Sequence, residues 1–470
     1  MKKMIATKIT MLVLAVTGAL FAEMSAPQNP VNGIWIQQKG DIVPHASTKA
    51  TLYYTKFANY SKDAVKGINY YYDGAGYLSL DMKKDTICGQ STDGLAGADG
   101  IVHHPDGDLL IAGQGKSVHK VSKTAKKNGQ KCLVKTVKVD DRDNGVWHLM
   151  MDPNQKWLWA AGIPGKLRRI STETDVANNN FGPSYPVDLE ADANDRVRHS
   201  SLATLIWDND GHAFYTYSDY TGGGCETDIL GNSCGQDLRD KYRAKAQFGF
   251  ISDTVWTKVT AENRATVGGN VGDSVITKLY TKILIDSLEG AHGGTFDPYS
   301  NTIFVFGGAK IVQIKPEIVG GKMSARVVAE INMREYFFEE SNANLTGPRT
   351  PTRSDGTTVW ESGFTSSLGW RLDQGTVDGM GHLFVASNTG HLVFVDYAAN
   401  PNKYINDNVL VHLQWIDNYL DDLAPLSGVG VVRTGANTGE DGELSSAKQY
   451  SSSFKVIESS SSEPEDESSS

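Results

Sequence analysis

A short apolar strand, a tight turn built on Asp, Pro, Asn or Gly, and a second apolar strand recur five times along this chain, in residues 103–113, 151–162, 207–215, 296–307 and 377–386. His104-Pro105-Asp106-Gly107 holds the first turn; Asp152-Pro153-Asn154, Asp208-Asn209-Asp210-Gly211, Asp297-Pro298-Tyr299 and Asp378-Gly379-Met380-Gly381 hold the others. A hairpin of this size cannot bury both of its faces alone, so successive copies must stack on one another. The pattern predicts an all-β chain and, within that class, a β-propeller whose blades each place one such hairpin next to the axis.

Taking His104, Asp152, Asp208, Asp297 and Asp378 as markers, the intervals are 48, 56, 89 and 81 residues. A four-stranded blade takes roughly 40 to 50 residues, so the first two intervals are one blade each. The longer two hold either a degenerate blade or one blade with long rim insertions, read at 221–275 and 340–368 from their Gly, Pro and polar content. Between the insertions, strands are expected at 248–251, 276–285, 325–331 and 409–415. A weaker sixth copy spans Gly67 to Leu80, with Asp73 only 31 residues before His104. About six blades are expected, five to seven being admissible, with Gly33–Gln37 and Val429–Val432 as candidates for closing the ring.

Lys2, Lys3 and Lys8 precede an apolar run from Ile9 to Phe21. Positive charge followed by so short an apolar stretch has the form of a secretory signal, too brief for a stable membrane span. Residues 1–22 are read as that signal, 23–450 as the propeller and 451–470 as a Ser-rich, acidic tail too poor in apolar side chains to fold. Export places four cysteines in an oxidising compartment, which favours disulfides between Cys88 and Cys132 and between Cys225 and Cys234; neither pair has zinc-ligand spacing. The net charge of −10, without a basic face, excludes nucleic acid as a partner. A monomer is expected.

Two motif fragments carry no chemistry. Gly113-Gln114-Gly115-Lys116-Ser117 ends like a phosphate-binding loop, but Leu110 replaces its first glycine and β-like residues follow. Asp208-Asn209-Asp210-Gly211 begins like a calcium loop, but His212 and Ala213 stand where an oxygen ligand and glycine are needed. Both are read as turns. The many Trp and Tyr side chains, Trp157, Trp159, Trp207 and Tyr215 among them, are expected mainly inside the blades, leaving sugar stacking to any on rim loops.

The repeat itself supplies the candidate site. The innermost strand of each blade lines the channel, so matching positions converge on the axis. Four or five residues before the markers stand Asp99, His148, His292 and Asp373, with His199 nine before Asp208 and out of register. Asp99, His148, His292 and Asp373 could coordinate one divalent metal through nitrogen and oxygen, with His199 as a further ligand-binding residue. The same residues also suit a solvated polar channel.

The D-P-x-G-x-L and D-x-x-G-x-L phrases, each followed by an apolar strand and a glycine, resemble those of the six-bladed NHL, SMP-30/gluconolactonase and streptogramin-lyase-like propellers over roughly residues 67–397. The resemblance implies a metal at the channel mouth, onto which Asp99, His148, His292 and Asp373 map, without a complete catalytic motif. Residues 417–426 resemble a phrase near the end of exported bacterial propeller proteins and carry no known chemistry. Two functions follow: a secreted or cell-surface binding or scaffold module for a carbohydrate or surface protein, which the missing motif and long insertions favour; and a metal-dependent lyase or lactonase-like hydrolase at the channel mouth.

Overall fold

In a computed structural model the described residues are 33–39, 43–56, 63–80, 85–95, 98–113, 117–139, 145–163, 166–172, 181–182, 184–191, 202–217, 246–251, 277–288, 291–308, 310–333, 372–388, 390–417 and 420–428. Strand β1 (Gly33–Lys39) precedes β2 (Thr48–Lys56), β3 (Val65–Tyr72), β4 (Leu78–Leu80) and β5 (Asp85–Cys88), and one helical turn, α1 (Gln90–Asp93), follows. Next come β6 (Ile101–His103), β7 (Leu109–Gly113), β8 (Ser117–Val121) and β9 (Leu133–Lys138), then β10 (Gly145–Met151), β11 (Trp157–Ile163), β12 (Lys166–Ser171) and β13 (Ser184–Ala191). β14 (Leu202–Trp207), β15 (Ala213–Tyr217), β16 (Ala246–Ile251) and β17 (Thr277–Leu288) make a further meander, as do β18 (Gly293–Asp297), β19 (Thr302–Gly307), β20 (Lys310–Val319) and β21 (Lys322–Asn332). The series ends with β22 (Leu372–Val377), β23 (His382–Ser387), β24 (His391–Asp396), β25 (Val409–Trp415) and β26 (Leu420–Leu423).

These strands form the six blades of a β-propeller. Blades two to six begin at β6, β10, β14, β18 and β22, and each runs outward through antiparallel neighbours. The outer strands β13 and β17 of blades three and four also pair in parallel, joining those two blades into one eight-stranded sheet. Blade one is assembled from both ends of the chain, in the order β26, β2, β3, β4, with β5 also pairing with β3. In exchange, β1 adds to the outer edge of blade six beside β25. Closure therefore rests on Leu420–Leu423 and Gly33–Lys39; Val429–Val432 lies outside the described residues. The Asp73 hairpin is the outer turn of blade one, between β3 and β4, which explains its short spacing from His104. Among the described residues each of the two long intervals holds one blade, β14–β17 in the first and β18–β21 in the second.

Six apolar clusters fill the six interfaces between neighbouring blades. Middle strands are covered on both faces, as in Thr302–Gly307, where every residue is buried. Edge strands alternate, as in Leu133–Lys138. That is the burial expected of stacked blades with solvated rims.

The Asp markers build the hairpin turns. Asp152 Oδ1 accepts the backbone N–H groups of Lys156 at 2.7 Å and Trp157 at 2.8 Å, and Asp208 Oδ1 accepts those of Asp210 and His212. Short acidic side chains hold tight turns this way, and the calcium-like fragment is such a turn; Gly211 follows at φ 83°. The phosphate-loop-like fragment likewise joins β7 to β8.

Asp417, just before β26, seals the closure. Its carboxylate meets Lys56 Nζ at 3.0 Å and Lys66 Nζ at 2.7 Å and accepts the Tyr54 hydroxyl at 3.0 Å. Cys88 and Cys132 form a disulfide, with Cα atoms 5.7 Å apart, tying blade one to blade two as expected. Cys225, Cys234, the 1–22 segment and the 451–470 tail lie outside the described residues. Trp157, Trp159, Trp207 and Tyr215 are buried within the blades.

Candidate metal centre

The inner strands deliver their first residues to one point on the axis. Asp99 leads into β6, His148 lies in β10, His292 immediately precedes β18, and Asp373 lies in β22. All four are at most 8% exposed. His148 Nε2 stands 3.2 Å from His292 Nε2, His292 Nε2 is 3.0 Å from Asp373 Oδ1, and His148 Nε2 is 3.6 Å from that same oxygen. A triangle with these sides has a circumscribed radius of about 1.9 Å, so the three atoms are spaced as they would be to hold one ion at about 2.0–2.1 Å, the length of zinc bonds to nitrogen and oxygen.

Local backbone features make this convergence possible. The pairing of β10 with β11 slips between Val146 and His148, and that of β22 with β23 slips between Leu372 and Gly375. Bulges re-aim side chains in this manner; the second lies between Asp373 and its marker, whereas His148 follows the first and stands four residues, rather than five, before Asp152. Gly100 and Gly293 follow Asp99 and His292 directly. A Cβ on Gly100 would meet Leu149 N and Trp147 O at 2.6 Å, and one on Gly293 would collide with the Asp373 carbonyl oxygen. Neighbouring inner strands touch through these glycines, which is why their acidic and imidazole side chains meet.

Three further residues complete the cluster. Asp421 and Asp422 come from β26, and Asn388 Nδ2 donates to Asp373 Oδ2 at 2.7 Å and to Asp421 Oδ1 at 2.9 Å. Asp422 Oδ2 lies 2.9 Å from His148 Nδ1, while its buried Oδ1 has no hydrogen-bond partner among the described residues. The Thr55 hydroxyl donates to the Asp99 carbonyl at 2.5 Å and accepts the Asp422 N–H at 3.2 Å, locking blade one to blade two. The phrase at 417–426, read from sequence as chemically silent, thus supplies both the closing strand and two site carboxyls.

Among the described residues five blades contribute side chains to the cluster, while blade four reaches it only through Thr216, whose hydroxyl donates to the His292 carbonyl at 2.9 Å. In blade four the position matching Asp99 is Ala203, which is buried and offers only a methyl group. His199 lies outside the described residues.

Burial drives the carboxyl groups of Asp99, Asp421 and Asp422 well above their ordinary range, and each is pushed further by a neighbouring carboxylate: Asp422 beside Asp99, Asp99 beside Asp421, Asp373 beside Asp422. Asp373 goes the other way. Burial pushes it up, but His292, His148 and a hydrogen bond with Asp421 outweigh this and hold it below the usual carboxylate range. Four buried acids around two imidazoles cannot all ionise unless positive charge joins them, which a divalent cation would supply.

No protein-family model matches the chain, and no curated protein matches its sequence. Among solved structures, it is similar to a candidate 6-phosphogluconolactonase from Bacteroides fragilis, with TM-score 0.40 and 10% identity over 80% of this chain and 97% of the other. A protein from Lactobacillus plantarum gives TM-score 0.36 and 11% identity over 75% and 80%, and a candidate 6-phosphogluconolactonase from Bacteroides uniformis gives 0.36 and 9% over the same shares.

Proposed function

We propose that this chain is an exported, divalent-metal-dependent hydrolase or lyase whose reaction takes place at the propeller axis, with lactones and esters as the substrate class. The observation that carries the reading is the ligand triangle of His148 Nε2, His292 Nε2 and Asp373 Oδ1. Two imidazoles and one carboxylate suit zinc or a similar borderline ion and leave a coordination position for water or substrate. Such an ion polarises a carbonyl and lowers the pKa of bound water. Asp422 orients His148, and with Nδ1–H donating to Asp422 the Nε2 lone pair faces the ion. Asp99 and Asp421, whose ionisation burial disfavours, are placed to pass a proton to a leaving oxygen.

The channel next to the cluster is lined by Val102, Met150, Ile206, Phe296 and Gln374, among others, and holds about 640 Å³ of space, its open mouth included. An acidic centre beside a channel also lined by the polar His103, Thr295, Gln374 and Ser427 suits an uncharged, polar substrate better than a phosphorylated one. Export is supported by the basic and apolar N-terminus and by the Cys88–Cys132 disulfide. The resemblance to the SMP-30/gluconolactonase group points to the same chemistry.

A second reading, a binding or scaffold module for an extracellular carbohydrate or surface protein, draws on connectivity. Residues 218–245 join β15 to β16 and 334–371 join β21 to β22, strand ends on the same side of the propeller as the cluster. One experiment separates the two. Purified protein is stripped with chelator, reloaded with zinc or manganese, and assayed on a panel of lactones and aryl esters beside Asp373→Asn and His292→Gln. Turnover that follows metal loading and disappears in both variants supports the enzyme. Metal binding without turnover on any member leaves the binding module, and absence of axial metal binding removes the enzymatic reading.

A further inference from the structure

A second group of ligating side chains lies away from the axis, at the seam where blade six meets blade one. His382 opens β23 and Asp396 closes β24, and the two face each other directly across that strand pair. Opposed residues on antiparallel strands present their side chains on the same face. His45 comes from the other blade, in the segment leading into β2. Its N–H donates to the Gly74 carbonyl at 2.9 Å, which pins the segment against the β3–β4 turn.

His45 Nε2 is 2.7 Å from His382 Nε2, and Asp396 Oδ1 is 3.7 Å from the first nitrogen and 3.8 Å from the second. The circumscribed radius of that triangle is about 2.0 Å, again a zinc-type bond length. Each ligand is also held from behind. His382 Nδ1 faces Asp378 Oδ2 at 2.6 Å, His45 Nδ1 faces the Val43 carbonyl at 3.1 Å, and Asp396 accepts the Tyr72 hydroxyl at 2.5 Å and the Ala398 N–H at 3.0 Å. Carboxylates and carbonyls behind the distal ring nitrogens are the usual support of metal-bound histidines.

The proton arithmetic gives an independent argument. Both Nδ1 atoms face acceptors, so both carry hydrogen, and in neutral rings both Nε2 atoms then point lone pairs at each other across 2.7 Å. A metal ion or a proton held between them relieves that repulsion, as does a shift of hydrogen to Nε2 of the more exposed His45. A proton would need the two nitrogens alone, whereas Asp396 Oδ1 stands nearly equidistant from both. His382 and Asp396 are buried while the His45 side chain is 19% exposed, which leaves a path for an ion and room for water ligands.

We propose that His45, His382 and Asp396 form a second divalent-metal site, of zinc type, that fastens blade six to blade one where the ring closes. It is independent of the axial cluster and of any activity there. The test uses the full chain, stripped with chelator and titrated with zinc against a chromophoric competitor, with melting temperature recorded in parallel. Wild type should take up two equivalents. His45→Gln, a change at a partly exposed position, should take up one and lose part of the zinc-dependent rise in melting temperature. Asp378→Asn should retain the site with about 10- to 100-fold weaker affinity. His292→Gln should remove the other equivalent and leave the seam site intact, so failure of the axial site and failure of this one register separately. Unchanged zinc uptake in His45→Gln overturns the proposal. So does a His45→Gln stability loss that appears only at acidic pH and without any change in zinc uptake, since that outcome identifies a shared proton.

Discussion

His148 Nδ1 and Asp422 Oδ2 stand 2.9 Å apart although 274 residues separate them along the chain. One belongs to the inner strand of blade three and the other to the strand that closes blade one. Their contact joins the most buried imidazole of the axial cluster, at 0% exposure, to a carboxyl at 1%. If Asp422 sets the orientation of His148 rather than binding the ion itself, Asp422→Asn should keep the metal stoichiometry and weaken axial zinc affinity by about 10- to 100-fold. Competition titration reads this directly. Complete loss of the site would make Asp422 a ligand, and no change would remove it from the centre.

The close approach of inner strands makes Gly293 a sensitive position. A methyl group there would press on the Asp373 carbonyl oxygen and on Gln374 Oε1, at 2.5 Å from the latter. Gly293→Ala should cost about 1–3 kcal/mol, as overpacking does, and should separate His292 from Asp373 enough to weaken metal binding. Gly129, which has open space around its Cβ position, provides the control: Gly129→Ala carries only a local strain from its φ of 71° and should leave axial affinity unchanged.

Removing the Cys88–Cys132 bridge should lower stability substantially. Its 44-residue separation corresponds to about 4 kcal/mol in the chain-entropy treatment. Urea unfolding of Cys88→Ser/Cys132→Ser against wild type measures it. A loss below about 1 kcal/mol would show that the apolar cluster around both sulfurs already holds blades one and two together without the bond.

Acid should destabilise the fold through histidines that have no part in either proposed metal centre. Burial depresses the ionisation of His391 and His412 to about 3, and burial together with the charge of Lys123 does the same for His103. In an unfolded chain imidazole titrates near 6.5. Below that pH the unfolded state takes up protons that the folded state refuses, so stability is fully present above about 6.5 and is lost as pH falls toward 3. At pH 5 each histidine should have removed about 2 kcal/mol relative to pH 7.5. Denaturant melts at the two pH values test this, and His412→Phe should shrink the difference by about one histidine's share.

The periodicity of the chain carried the blades, and the reason is physical: each hairpin turn needs an acidic or amide side chain to cap its own backbone, so Asp152, Asp208, Asp297 and Asp378 mark the inner hairpins in plain view. Asp99, His148, His292 and Asp373 were legible because rotational repetition maps equal offsets onto equal places. His148 was legible although its offset is one residue shorter, because it still lies at the axial end of its inner strand, directly after a bulge. Asp421 and Asp422 were not, since β26 is a strand of four residues without a hairpin of its own. Nothing local distinguishes it, and its role comes from pairing with β2, more than 360 residues earlier. The seam group was hidden for a similar reason: His45 meets His382 and Asp396 only after the ring has closed.

Because β26 belongs to blade one, the axial cluster has a temporal order as well as a spatial one. During synthesis Asp99, His148, His292 and Asp373 emerge and can be placed by their own blades while the acids of Leu420–Leu423 are still to come. Long-range pairing of this kind is the slow part of folding a β topology. A chain cut anywhere short of residue 420 therefore keeps four of the axial side chains but has neither the positioning carboxyl of Asp422 nor a sealed blade one, so a complete axial cluster reports that the ring has closed.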